Sequence, residues 1–140
     1  IGGKLGLPLG GWYHASKFAL EGLSDSLRNE LRSFGIEVVL IEPGLIKSEL
    51  MEIGAENLLA AAGESSYEQL AEDYADYVRK EYSKEGRAVE PEVIADKVLA
   101  AIQAKNPKAR YAAPGHAKLV LFLRWLLPDR IYDWLIRKMI

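Results

Sequence analysis

The segment Ile36-Glu37-Val38-Val39-Leu40-Ile41 constrains this chain most. It is a short β-branched apolar run with Gly35 before it and Pro43-Gly44 after it, which favours a buried strand over a helix. From Trp12 to Phe34, ahead of it, Leu20, Leu23, Leu27 and Leu31 recur at spacings of three and four, one apolar stripe of a long helix. Ala15, Ala19 and Gly22 form a row of small residues, and Gly35 stands at the C′ position that ends the helix. A long helix, a tight glycine and a continuous apolar strand make the α-to-β half of a parallel βαβ unit.

The rest of the chain supports an α/β reading. Residues after Pro43-Gly44 are read as irregular as far as Ser65. Ser65 and Glu68 fit a capping box for a helix with Tyr67, Leu70, Tyr74, Tyr77 and Val78 on one face, ended by Gly86. Its acidic residues come early and its basic ones late, which suits the helix macrodipole. Pro91 opens a further helix with Val93, Ile94, Val98, Ala101 and Ile102 facing inward. Arg110 to Ala113 is a second short strand. His116 to Ile140 reads as two short helices broken at Pro128. Two strands among five helices do not make a covered parallel sheet. That shortfall, and an opening Ile1-Gly2-Gly3-Lys4 without an initiator Met, lead us to expect a piece of a longer fold.

Composition excludes several classes. The chain has 140 residues, 49% apolar and 27% charged, with 18 basic against 20 acidic residues and a net charge of −2. This near-neutral balance offers no field to hold nucleic acid. The absence of cysteine excludes thiolate chemistry and disulfides, and two histidines cannot build a multi-His metal site, so no metal is expected. No signal peptide is visible, and no apolar run approaches the roughly 20 residues of a membrane span. A cytoplasmic protein is expected.

The densest chemistry lies in Tyr13-His14-Ala15-Ser16-Lys17. Tyr13 and Lys17 are four apart and share a helix face. A phenol ionises near pH ~10, and a neighbouring ammonium favours the phenolate. A Tyr so placed can pass a proton to or from a substrate oxygen. His14 points about 100° away from Tyr13 on a helix and is read as a packed or surface residue.

The string continues as Phe18-Ala19-Leu20-Glu21-Gly22-Leu23 and Leu27-Arg28-Asn29-Glu30-Leu31, then the strand and Pro43-Gly44. This resembles the short-chain dehydrogenase/reductase family, densely from Gly2 to about Leu50 and more loosely to about Ala113. The resemblance implies the C-terminal part of a doubly wound parallel-sheet Rossmann domain, its N-terminal half absent from this chain. Residues 1–140 would then form part of one NAD(P)-binding domain. Catalytic helix, strand and Pro-Gly loop would lie in about 1–50, a substrate-covering region in 45–90, the last helix and strand in 91–113, and an apolar helical tail in 114–140.

By the same resemblance, Tyr13 would be the general acid/base. Lys17 would favour its phenolate and hydrogen-bond the nicotinamide ribose. Pro43 and Gly44 would pack on the nicotinamide ring, and Ile46 would offer backbone groups to its carboxamide. Ser48, where the family commonly has Thr, would also bond the carboxamide. Ile1, Leu7 and Leu45 would touch an apolar alcohol or ketone of steroid, retinoid or long-chain type. The cofactor would be NAD or NADP.

Two family features are missing. The Ser that polarises the substrate oxygen would fall immediately ahead of Ile1, and no Gly-x-x-x-Gly-x-Gly loop follows a strand. The 140 residues alone are therefore expected to be inactive. A 3-oxoacyl reductase of fatty-acid type and a non-catalytic interaction module derived from a dehydrogenase are the alternatives. The tail, with Arg124, Arg130, Arg137 and Lys138 among apolar residues, would pack on the parent domain or make a peripheral membrane contact. The small-residue row is compatible with a homo-oligomer.

Overall fold

The computed structural model describes residues 1–139; Ile140, the last residue of the expected tail, lies outside them. Among the described residues there are six α-helices and two strands, arranged in two compact units. The first unit comprises Ile1–Gly44 and Glu92–Leu127, and the second Leu45–Pro91 and Pro128–Ile140.

The first unit opens with a Gly-rich loop that leads into α1 (Gly11–Leu31). A 3-10 turn over Arg32–Phe34 tightens the end of that helix. Gly35 follows at φ 70°, a left-handed conformation that favours glycine, and its N–H reaches the Arg32 carbonyl. Strand β1 (Leu40–Pro43) pairs in parallel with β2 (Arg110–Ala113), Leu40 opposite Arg110 and Pro43 opposite Ala113. Between them in sequence, helix α4 (Glu92–Gln103) packs on both strands, and α5 (Gly115–Leu126) follows β2 and packs against it.

The first unit corrects the sequence reading twice. The ladder covers Leu40–Pro43, not Ile36–Ile41, because strand pairing needs a partner and β2 offers only four residues. Val98 and Ile102 do not face inward, and Ile102 is 76% exposed. Two strands spaced ~4.8 Å apart are narrower than a helix of ~10 Å diameter, so α4 overhangs them. Leu20 and Leu23 of the leucine stripe of α1 are exposed as well.

In the second unit, α2 (Glu49–Ala62) packs on α3 (Glu68–Tyr82) around Ala55, Ala75 and Val78, with Met51, Leu59 and Tyr77 closing over them. The expected irregular stretch before Ser65 is thus largely helix. Glu, Leu, Met and Ala dominate it, and their helix propensity outweighs Gly54 in its middle. The expected capping box is also absent. The Ser65 hydroxyl accepts from the Tyr67 N–H at 3.2 Å, a tight turn two residues on, and α3 starts with no side-chain cap. Tyr67 precedes the helix and is exposed rather than packed. Ile46 and Val89 form an isolated parallel bridge, and α6 (Asp129–Met139) buries Tyr132 and Ile136.

Candidate active site

Helix α1 brings Tyr13 and Lys17 onto one face. Nζ of Lys17 lies 5.6 Å from the centroid of the Tyr13 ring, and Tyr13 is 52% exposed. Neither side chain is consumed by a core, so both can meet a ligand. His14, one residue on, turns inward as the helix geometry requires. It is buried, its Nδ1 lies 2.8 Å from the Gly2 carbonyl, and its ring meets that of Tyr13 edge-on at 5.2 Å. It thereby fastens the entry loop beside Tyr13, and the loop comes in close. A Cβ on Gly3 would stand 2.7 Å from the Lys17 carbonyl oxygen, so only a glycine fits against the helix there.

Strand β1 delivers Pro43 and Gly44 within the same unit. The Gly44 N–H donates to the Ala113 carbonyl at 2.8 Å, and the Pro43 carbonyl accepts from the Ile1 nitrogen at 2.7 Å. The backbone of Ile1 therefore sits beside the end of β1. Leu7 lies in the same loop, half-buried, and its carbonyl accepts from the Gly10 N–H.

Leu45, Ile46 and Ser48 belong to the second unit. The Leu45 carbonyl accepts from Val89 at 3.1 Å, and Ile46 lies at the bridge to Val89. Ser48 precedes α2 in extended conformation and borders a cleft of about 310 Å³ with Lys47, Glu52, Glu56, Val78 and Arg79.

A group of charged residues escaped the sequence reading. Arg110 on β2 donates to Glu21 and Asp25 of α1, and Lys4 pairs with Glu21 at 2.8 Å. Burial alone would raise the Glu21 carboxyl, but hydrogen bonds from Lys4 and Arg110 outweigh it and hold the group below its ordinary range. Asp25 is held down chiefly by its hydrogen bond from Arg110. Glu42, only 5% exposed, is pushed up by burial and then by the charge of Glu21. The spacing of Glu21 and Asp25 at four and eight residues past Lys17 was readable. The reach of Arg110 from the far end of the chain was not.

Helix α1 with its Tyr-x-x-x-Lys and strand β1 with Pro-Gly at its end, both in the first unit, are the features by which the sequence resembles the short-chain dehydrogenase/reductase family. Comparison with known families agrees, since the model described as short chain dehydrogenase matches residues 1–77. The chain belongs to the short-chain dehydrogenase family. It is 35% identical to the uncharacterized oxidoreductase YusZ of Bacillus subtilis, across 99% of this chain and 49% of that protein. It is 36% identical to the NADPH-dependent 3-dehydrocapnine reductase of Ornithobacterium rhinotracheale, across 94% of this chain and 45% of that protein. The 17-beta-hydroxysteroid dehydrogenase type 6 of Mus musculus is 31% identical, across 91% of this chain and 42% of its own length. The chain spans about half the length of the curated relatives it matches. Among the described residues, no cluster of His, Cys, Asp and Glu could hold a metal ion, and no helix is long and apolar enough to cross a membrane.

Proposed function

We propose that these residues form the later part of an NAD(P)-dependent oxidoreductase that interconverts an apolar alcohol and its ketone. The observation that carries this reading is the pairing of Tyr13 and Lys17 on one exposed face of α1, with Lys17 Nζ 5.6 Å from the Tyr13 ring. An ammonium and a phenol on one face suit the neighbouring hydroxyls of a ribose, so Tyr13 and Lys17 would hold the cofactor there. Pro43, Gly44, Ile46 and Ser48 would hold its nicotinamide. The bound nicotinamide supplies or accepts the hydride.

The residues of the chain handle the proton. In reduction, the Tyr13 hydroxyl donates its proton to the carbonyl oxygen as that oxygen gains charge; in oxidation, the Tyr13 phenolate takes the proton back. Ile1, Leu7 and Leu45 would line the apolar substrate, and a hydroxysteroid dehydrogenase among the relatives supports such a substrate. The complete enzyme would be a homo-oligomer, its apolar tail packed on the parent domain or in peripheral contact with membrane. The 140 residues alone would be inactive, a reading supported by the two-stranded sheet and by the exposed apolar side chains Leu20 and Leu23 of α1 and Val98 and Ile102 of α4.

The test is Tyr13→Phe in the full-length protein, with nicotinamide absorbance followed during oxidation of a steroid or long-chain alcohol. General acid–base catalysis contributes roughly 10²- to 10⁴-fold, and a loss of that order in kcat is expected. Turnover equal to that of the parent protein overturns the reading.

A further inference from the structure

Tyr13, Lys17, Glu21 and Asp25 are spaced four apart along α1, so they form one inclined row on the helix surface. The first pair faces the proposed chemistry. The second pair is gripped from the sheet. Nη2 of Arg110 donates to Glu21 Oε2 at 2.9 Å and to Asp25 Oδ1 at 2.6 Å, and Nε donates to Glu21 Oε2 at 3.1 Å. The same guanidinium stands 3.4 Å from Glu42 Oε1, on the residue immediately before Pro43. Lys4 reaches Glu21 from the loop ahead of α1 at 2.8 Å. Three parts of the first unit thus converge on one cation: the helix with Tyr13 and Lys17, the strand that ends in Pro43-Gly44, and β2 itself.

We propose that Arg110 is a positioning residue, which sets where the Tyr13–Lys17 row stands relative to Pro43-Gly44. The inference rests on the oxidoreductase reading above. A planar guanidinium suits this task because its donors are fixed in a fork, whereas an ammonium is a single point of charge. Lever length makes the clamp matter. Glu21 is eight residues from Tyr13, about 12 Å along the axis at 1.5 Å per residue. A tilt of about 5° at the clamp would therefore move Tyr13 by about 1 Å, and a misplacement of that size costs roughly 10²-fold in rate.

The test compares Arg110→Met and Arg110→Lys with the parent full-length enzyme. Arg110→Met is expected to lower kcat at least tenfold with little change in KM, and to speed hydrogen exchange of the Gly11–Phe18 amides while α4 exchanges as before. Arg110→Lys, which keeps the charge without the fork, should fall between the two. Should Arg110→Met not fold, Asp25→Ala loosens one arm of the clamp at a half-buried position and is expected to move kcat and exchange the same way. Unchanged exchange in α1, or a kcat within twofold of the parent in folded variants, overturns the proposal. A parent protein without any hydride transfer would overturn the oxidoreductase reading instead, because the exchange measurement needs no turnover.

Discussion

A Cβ on Gly44 would lie 2.8 Å from Nε2 of His116. The glycine that follows β1 and the second residue of α5 are therefore packed as closely as backbone and imidazole allow. Gly44→Ala should destabilise the protein by about 1–3 kcal/mol, the usual cost of overpacking. Adding His116→Ala removes the obstructing ring and should recover part of the loss, although the Ala117 Cβ at 3.0 Å still crowds the site. Thermal melts of the parent, the two single variants and the double variant measure this; additive losses would show that the two residues do not meet.

His14 ties Gly2 to α1 through its Nδ1. His14→Ala leaves the Gly2 carbonyl without that partner and opens a space beside Tyr13. A loss of about 1–2 kcal/mol is expected from the missing hydrogen bond and its unsatisfied carbonyl. Hydrogen exchange should accelerate in the loop before α1, and a variant whose loop exchanges at the parent rate would contradict this role.

In the second unit, Arg87 forks onto Glu81, Nε to Oε2 at 2.7 Å and Nη2 to Oε1 at 2.8 Å. Glu81 is held below its ordinary range, first by this hydrogen bonding and against the opposing effect of its burial. A carboxylate depressed in the folded state contributes stability that is present above its unfolded pKa and is lost as pH falls through the folded value. Arg87→Met should therefore cost stability at neutral pH, by about 1–3 kcal/mol since it strands a charge-assisted pair. The variant should approach the parent at acid pH, as read from denaturant midpoints at pH 7 and pH 3. An equal gap at both pH values would rule out the pair as its source.

Glu42 carries the opposite sign. Burial raises its carboxyl, so the folded state binds the proton more tightly than the unfolded chain does. Its contribution is present below the unfolded carboxylate pKa, near ~4.3, and is lost as pH rises through the folded value. Glu42→Gln removes that titration. The difference in stability between variant and parent should shift in favour of the variant as pH climbs through the raised value. A pH-independent difference would mean that Arg110 compensates the charge fully.

Much of the first unit was legible because local signals agree there. The leucine spacing and Gly35 marked α1, and the helical spacing of Tyr13 and Lys17 placed both on one face. The strand was found but set four residues early, since apolar runs report burial and say nothing of where a ladder finds its partner. Helix α2 was missed because Gly54 and irregular apolar spacing hide a segment whose propensity is high throughout. The cation on β2 was beyond reach, because its carboxylate partners lie on α1 and β1, far away in sequence. Leu45, Ile46 and Ser48 were named through resemblance, and spacing alone had no means of finding them.

The parallel ladder that aligns Leu40 with Arg110 has a consequence for how the two strands find each other. Side chains alternate between sheet faces, so a slip of one residue would carry Arg110 to the opposite face. Its cationic fork would then turn away from Glu21, Asp25 and Glu42, leaving three like charges gathered without it. Apolar residues tolerate such an error, since Tyr111 or Ala109 could take the vacated place; a charge does not. The ionic cluster thus acts as a proofreader of strand alignment, rejecting pairings that hydrophobic burial alone would accept.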